Sequence, residues 1–269
     1  MKTKLLVLTL VLLLAGGCAN APVAAPVSTS APTTQVDAPV AAQVIVSTPT
    51  QAVIEVVPNT PEPTPTEAPA VKNSADQCDN PYYPVVDGAT WTYEGSATGQ
   101  FTHTLNVSQD QLFTIHITSN DTVFNMEGQC TEDGVTLMDS GMSTTAQSAD
   151  GTGTVTTTNQ DGVTLPNDIQ VGDDWSQTIA YNAGGEGEAF SGTIETSYKA
   201  VGYESVSVPA GTFEALKIEQ TTALYMAGQH YMDTSSSLWY VQGVGNVKTE
   251  QIINQGDPIT TQLLSYNIP

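Results

Sequence analysis

The sequence predicts an all-β fold: an antiparallel meander, carried behind a disordered stalk. Three observations predict it. From residue 78 onward, short β-branched and aromatic runs alternate with Gly, Asn, Asp and Pro. No stretch there keeps a 3.6-residue apolar period of useful length. The residues before position 78 are instead rich in Pro, Ala, Thr and Val. The pattern places strands at 90–94, 101–107, 112–118, 122–127, 134–138, 153–158, 176–181, 190–203, 205–208, 212–222, 236–241, 246–253 and 260–266. Runs so evenly spaced and joined by short turns pair mostly with their neighbours in sequence. The interval 143–161 is Ser, Thr, Gly and Asp with little apolar content, and only one strand is placed in it.

At the N-terminus, Lys2 and Lys4 precede the apolar run Leu5 to Leu14, broken only by Thr9. Ten residues suit the core of a signal peptide, whereas a spanning helix needs roughly 20. Ala15-Gly16-Gly17-Cys18 comes directly after, and it resembles the lipobox at which bacterial lipoproteins are cut and acylated. The resemblance implies removal of residues 1–17 and a lipid on Cys18. It places the chain in the cell envelope, outside the cytoplasm and anchored to a membrane. Two or more acyl chains make such a tether stable. Residues 18–77 form the expected stalk and hold ten of the 16 prolines. The run Pro58-Asn59-Thr60-Pro61-Glu62-Pro63-Thr64-Pro65 lacks the donors a helix or central strand needs and favours polyproline II. Fully extended, the stalk would reach roughly 180 Å. Residues 78–269 are long enough for one domain with its own core.

The formal net charge is −22, and there is no arginine. Loss of Lys2 and Lys4 with the leader leaves 28 acidic residues against four lysines. A phosphate backbone or an anionic bilayer surface repels such a chain, so nucleic acid is excluded as a partner. Of the three cysteines, Cys18 is assigned to the lipid. Cys78 and Cys130 are an even pair in an exported chain, which predicts one disulfide.

Motifs for catalysis are missing: there is no Gly-x-Ser-x-Gly elbow, His-Glu-x-x-His helix, EF-hand loop or phosphate loop. No cofactor, metal or catalytic residue is expected. Gly243-Val244-Gly245 reads as a turn between strands, because Asn246-Val247-Lys248-Thr249-Glu250 alternates rather than opening a helix. His103 and His116 sit on adjacent strands, and register decides whether they meet. Phe101, Leu105 and Val107 on one strand and Phe113, Ile115 and Ile117 on the next are all odd-numbered. One buried face for both sets requires partner numbers with an even sum, which separates the two histidines. His230 reads as a loop residue without a visible partner. Asp173-Asp174, Glu132-Asp133, Glu186 with Glu188, and Asp150 lack the spacing of a dedicated calcium loop and read as solvated turns.

Aromatic residues are the more informative set. Trp91, Tyr93, Trp175, Trp239 and Tyr240 are candidates to line a ligand groove. Rings with polar tips hold sugars or lipids, but they also fill β cores and rims. A short internal echo adds to this. Gly88-Ala89-Thr90-Trp91 and Gly172-Asp173-Asp174-Trp175 each come after a proline and lead into a strand.

Val208-Pro209-Ala210-Gly211-Thr212-Phe213, followed by Trp239-Tyr240 with Gly243-Val244-Gly245-Asn246-Val247-Lys248 and preceded by Pro81-Tyr82-Tyr83-Pro84, resembles a bacterial family. Its members are secreted and lipid-anchored proteins of unknown function that share V-P-A-G-T-F and W-Y-x-x-G-V-G-x-V-K stretches. The resemblance covers about 78–269 and brings no activity or catalytic residue. By analogy it implies that the meander bends into a half-open barrel or strongly curved sheet, like the half-open barrels of lipoprotein carriers, whose concave face holds acyl chains. Val208-Pro209-Ala210-Gly211 also suits a turn joining 203–208 to 212–222 as a hairpin. The sequence therefore predicts a tethered, non-enzymatic β domain. It would bind a neutral glycan, an acyl chain or a protein, or serve an envelope-structural role. The alternative is an envelope hydrolase with a carboxylate site. Acids and a histidine in one cleft would favour the enzyme, aromatics alone the binder, and a closed dry core the structural role.

Overall fold

A computed structural model describes residues 79–108, 111–120, 122–138, 143–148, 151–185 and 189–269. The expected leader 1–17, Cys18, the stalk 18–77, Cys78, Asp150, Glu186 and Glu188 lie outside the described residues.

One antiparallel sheet runs through the described residues. Its strands are β1 (Thr90–Gly95), β2 (Gly99–Val107), β3 (Leu112–Ser119), β4 (Thr122–Cys130), β5 (Gly134–Leu137), β6 (Ser143–Ser148) and β7 (Gly151–Gly162). They continue as β8 (Leu165–Pro166), β9 (Asp174–Gly185), β10 (Ala189–Val208), β11 (Gly211–Met226), β12 (Gln229–Val241), β13 (Gly245–Ile253) and β14 (Ile259–Asn267). The order β3-β2-β1-β14-β13-β12-β11-β10-β9-β7-β6-β4 returns to β3 through the β3–β4 pairing. Twelve strands thus form a barrel, with β5 and β8 continuing outward from β4.

Strand β4 explains the one irregular place in the wall. Its first half pairs with β6 and its end, Gly128 to Cys130, pairs with β5. Between the β5–β8 branch and β9, side chains make the connection. The Leu137 N–H donates to Thr164 Oγ1 at 2.9 Å, the Thr164 hydroxyl to Gln177 Oε1 at 3.1 Å, and Gln177 Nε2 to the Leu137 carbonyl at 3.4 Å.

Most expected strands are present, usually longer than the sequence implied. The runs 190–203 and 205–208 are one strand, β10, and not two. Its partner β11 stays opposite throughout, and the irregularity is a bulge between Ala200 and Gly202 that leaves Val201 unpaired and exposed. Strands β6 and β8 were not expected. β6 has Ala146 as its one aliphatic residue, but partners on both sides satisfy its backbone. The Val208–Gly211 hairpin forms as expected. Its tip extends past β12 and reaches β14, where the Ala210 N–H meets the Leu263 carbonyl at 3.0 Å.

The Gly-x-x-Trp echo is a structural repeat. Gly88 and Gly172 have φ of 75° and 102°, a conformation that favours glycine. Each closes a turn, with Ala89 N–H on the Val86 carbonyl at 3.1 Å and Asp173 N–H on the Gln170 carbonyl at 3.0 Å. The Gly88 N–H donates to the Leu105 carbonyl, and Leu105 N–H returns to that of Ala89, both at 2.9 Å. Gly172 and Ala200, with Asp173, repeat this pair at 2.8 and 2.9 Å. Trp91 then pairs with His103 and Trp175 with Tyr198, each partner two residues before the one that meets the glycine.

Ahead of the first corner, Asn80 to Pro84 straps one end of the barrel. Pro81 and Pro84 cannot donate backbone hydrogen bonds, so a side chain takes over. Asn80 Nδ2 donates to the Leu165 and Pro166 carbonyls at 3.1 and 2.8 Å. On the other side, the Pro81 carbonyl accepts from Gly243 N–H at 2.8 Å.

Candidate functional site

Alternation along each strand sends every second side chain into the barrel, and the inward set leaves a cavity of about 230 Å³. Small-molecule sites typically occupy roughly 300–1,000 Å³, so this one suits a small or slender ligand. The two sides of the ring differ. Strands β1 to β4 supply Trp91, Phe101, Leu105, Ile115, Ile117 and Met126. Across the ring, β9 to β13 mix Ile179, Ile194 and Leu238 with Gln177, Thr196, Tyr198, Gln220, Tyr240 and Thr249. Tyr83 of the strap and Met138 complete the lining with others, and no Asp, Glu or Lys is among the described lining residues.

The polar side is cross-linked. The Thr196 and Thr222 hydroxyls lie 3.2 Å apart, and Gln220 Nε2 donates to Thr222 Oγ1 at 3.1 Å. Register continues this face onto β12, with Ser236 beside Gln220 and Thr234 beside Thr222. Both are buried, and their hydroxyls have no hydrogen-bond partner among the described residues. A buried hydroxyl left unpaired costs about 1–3 kcal/mol, so two together are a substantial burden.

The interior is hostile to charge. Burial lowers the His103 imidazole from its ordinary value to about 4. His103 packs against the stacked Tyr93 and Phe101 rings, at 5.1 and 5.4 Å. Burial also pushes the Tyr240 hydroxyl up to about 12 and those of Tyr93 and Tyr198 further. All of these groups are neutral at physiological pH.

The five groove candidates divide. Trp91, Tyr93 and Tyr240 line the cavity. Trp91 Nε1 donates to the Val244 carbonyl at 2.7 Å, and the Tyr93 hydroxyl to that of Asn246 at 2.9 Å. Trp175 and Trp239 do not line it. Trp175 stacks on Tyr198 with centroids 5.2 Å apart, and its Nε1 donates to the Thr164 carbonyl at 3.3 Å. Trp239 pairs with Lys217 and Lys248 on its neighbouring strands. Both ammonium groups sit over its ring, at 5.4 and 4.7 Å, while its Nε1 donates to Glu204 Oε1 at 2.5 Å. Its neighbour Leu238 faces inward, which sends Trp239 away from the cavity.

Strands β2 and β3 take the even register, Thr102 with Thr118 and Thr104 with His116. His103 accordingly faces the cavity, while His116 Nδ1 bonds Asn125 Oδ1. His230 departs from expectation: it lies on β12 opposite Tyr225 and has a partner, Asp233 Oδ1 at 2.8 Å. The tight turn Ala227-Gly228, with φ of 50° and 74°, carries the hairpin further than its apolar content indicates. The acidic pair Asp173-Asp174 is turn and surface chemistry, with Asp173 accepting from Gln170 N–H and Asp174 meeting Lys199. Among the described residues no group of three or more His, Cys, Asp or Glu is gathered for a metal ion.

Sequence reasoning missed the polar side altogether. Its signal was present in β11, where Leu216, Ile218 and Leu224 mark the inward parity and Gln220 and Thr222 share it.

Among solved structures, the chain is similar to one described as an exported protein with a YmcC-like fold from Bacteroides fragilis NCTC 9343. The identity is 14% over 69% of this chain and 98% of that one, with a TM-score of 0.40. It is also similar to one described as a lipoprotein from Parabacteroides distasonis ATCC 8503, at 16% identity over 71% and 99% of the two chains, TM-score 0.39. A third is the hypothetical lipoprotein YmcC from Escherichia coli K12, at 12% identity over 66% and 83%, TM-score 0.36. Likeness this distant carries no functional argument. No curated protein matches the chain. The sequence profile of the DUF3108-like family matches residues 110–264, more than half of the chain and most of the barrel, and the chain therefore belongs to the DUF3108-like family.

Proposed function

We propose that the protein is an envelope lipoprotein whose barrel is a non-enzymatic binding module for an uncharged ligand held in its interior. The observation that carries this reading is the cavity of about 230 Å³ whose described lining residues include no Asp, Glu or Lys. A neutral glycan or an acyl chain fits such a lining, and an ionised group would lose its hydration without gaining a counter-charge. Hydrolysis by a carboxylate pair needs two acids flanking the bond to be cut, and the described lining residues offer none. Titrating neutral glycans and acyl compounds while tracking tryptophan fluorescence tests the reading. A saturable response to an uncharged compound is expected, and a flat response to all of them removes it.

Membrane attachment is the second part of the reading and rests on Ala15-Gly16-Gly17-Cys18 after a short apolar core. Cys18→Ser should move the protein from the membrane fraction to the soluble one. Retention of that variant in the membrane would overturn the anchor. A Cys78–Cys130 disulfide belongs to the same reading, supported by the even pair of cysteines in a chain read as exported and by the burial of Cys130. It would stabilise the domain by about 4 kcal/mol, and mass spectrometry of non-reduced peptides identifies the partner.

A further inference from the structure

The two sides of the cavity are chemically unlike, and their difference specifies a ligand more narrowly than lack of charge does. β1 to β4 present apolar and aromatic groups, from Trp91 to Met126. β9 to β13 interleave Ile179, Ile194 and Leu238 with amides and hydroxyls, with Gln177 4% exposed, Thr196 7%, Gln220 7% and Thr249 6%. The same face continues to Thr234 and Ser236, 4% and 6% exposed, whose hydroxyls have no partner among the described residues. A ligand that matched only the apolar side would leave this polar face unanswered. One that was polar all round would waste the aromatic side.

We infer that the cavity takes an uncharged single-chain amphiphile, in the chemical class of monoacylglycerols. The acyl chain lies against Trp91, Leu105, Ile115 and Ile117, and the hydroxyl or ester head meets Gln177, Gln220 and the hydroxyls beyond them. This inference rests on the binding function proposed above. A free fatty acid or a phospholipid would bring an anion to a site with no cation among its described lining residues. The depressed basicity of His103 points the same way, because the imidazole is not available as a counter-ion at neutral pH.

The test uses three ligands of equal chain length and different heads, monooctanoylglycerol, octanoate and octylamine, titrated into the intact protein at about pH 7.5. Tryptophan fluorescence reports binding. Monooctanoylglycerol should bind about tenfold or more tightly than either ion, since desolvating an unpaired charge is the larger cost. Gln220→Leu should weaken monooctanoylglycerol about tenfold while leaving octanoate and octylamine unchanged. The near-isosteric Thr249→Val is a second variant, should the first disturb folding, and should act in the same direction. Octanoate or octylamine binding as tightly as the glyceride would overturn the head-group inference and leave the binding function standing. No response to any acyl ligand, with saturable binding of a neutral glycan, would also overturn it alone. Silence toward every compound would remove both.

Discussion

Gly88 and Gly172 build the same corner twice, yet the tryptophans that come after them end in different surroundings. Trp91 is 7% exposed and faces the cavity under the β12–β13 turn, whose Val244 carbonyl takes its indole N–H. Trp175 is half-buried and rests on Tyr198, outside the cavity lining. The backbone bonds of the two corners agree to about 0.1 Å, so the corner itself cannot be what sets burial. What differs is the chain lying over each ring. The corner fixes where a strand begins and which face its first large residue joins, and the overlying segments decide what that residue becomes.

The largest expected effect is at the more deeply covered ring. Trp91→Ala should cost about 3–5 kcal/mol, the range for emptying a buried aromatic site, read from urea denaturation. A loss under about 1 kcal/mol would mean that the overlying turn contributes little.

Partner residues sharpen the comparison next. His103 stands where the second corner has Tyr198, and only the histidine titrates in the mildly acidic range. Its folded-state value near 4 lies below the ordinary 6.5, so between these values the unfolded chain takes up a proton that the folded chain refuses. The contribution is fully present above about pH 6.5 and is lost as pH falls toward 4, by up to about 3 kcal/mol. His103→Phe should flatten that part of the stability curve, while Tyr198→Phe should leave its slope unchanged. Parallel curves for wild type and His103→Phe would show that the imidazole is not desolvated.

Trp175→Ala should cost roughly 2 kcal/mol, less than Trp91→Ala, because a partly exposed stack loses less buried area. Equal losses at the two sites would erase the distinction. The smallest effect tests the sameness of the corners. Gly88→Ala and Gly172→Ala should each cost about 1 kcal/mol through positive φ alone, because a new Cβ would meet only Pro269 Cγ at 4.0 Å in the first case and nothing within 4 Å in the second. Costs differing by much more than about 0.5 kcal/mol would show that the corners are not equivalent.

How much of this was legible in the sequence depended on which residues carried the signal. The odd-numbered apolar positions of β2 and β3 determined register, and register placed His103 and His116 on opposite faces. The Val208-to-Gly211 hairpin and the turn at Gly243 came from local backbone preference. β6 was illegible because Ser143-Thr144-Thr145-Ala146-Gln147-Ser148 has no apolar alternation, and partners on both sides are what hold it. Trp239 misled for a related reason: it is buried in the apolar cluster with Lys217 and Lys248 over its ring but does not line the cavity, and composition does not distinguish those two kinds of burial. Gln177 and Gln220 were missed because a polar residue in a strand is ordinarily assigned to the wet face. Only the parity of neighbours such as Ile179 and Ile218 shows that these two point inward.

The return of β4 to β3 has a consequence for life at high density. A sheet that ends in open strands offers unpaired N–H and C=O groups to other chains, and long exposed edges invite fibre-like stacking. Here the twelve-strand ring consumes its own edges. The branch that leaves it finishes at β8, two residues long and ending in Pro166, a residue with no N–H to donate. Barrels crowded together would find little in each other's described strands to template against. Their shared negative charge would add repulsion to that geometric inertness.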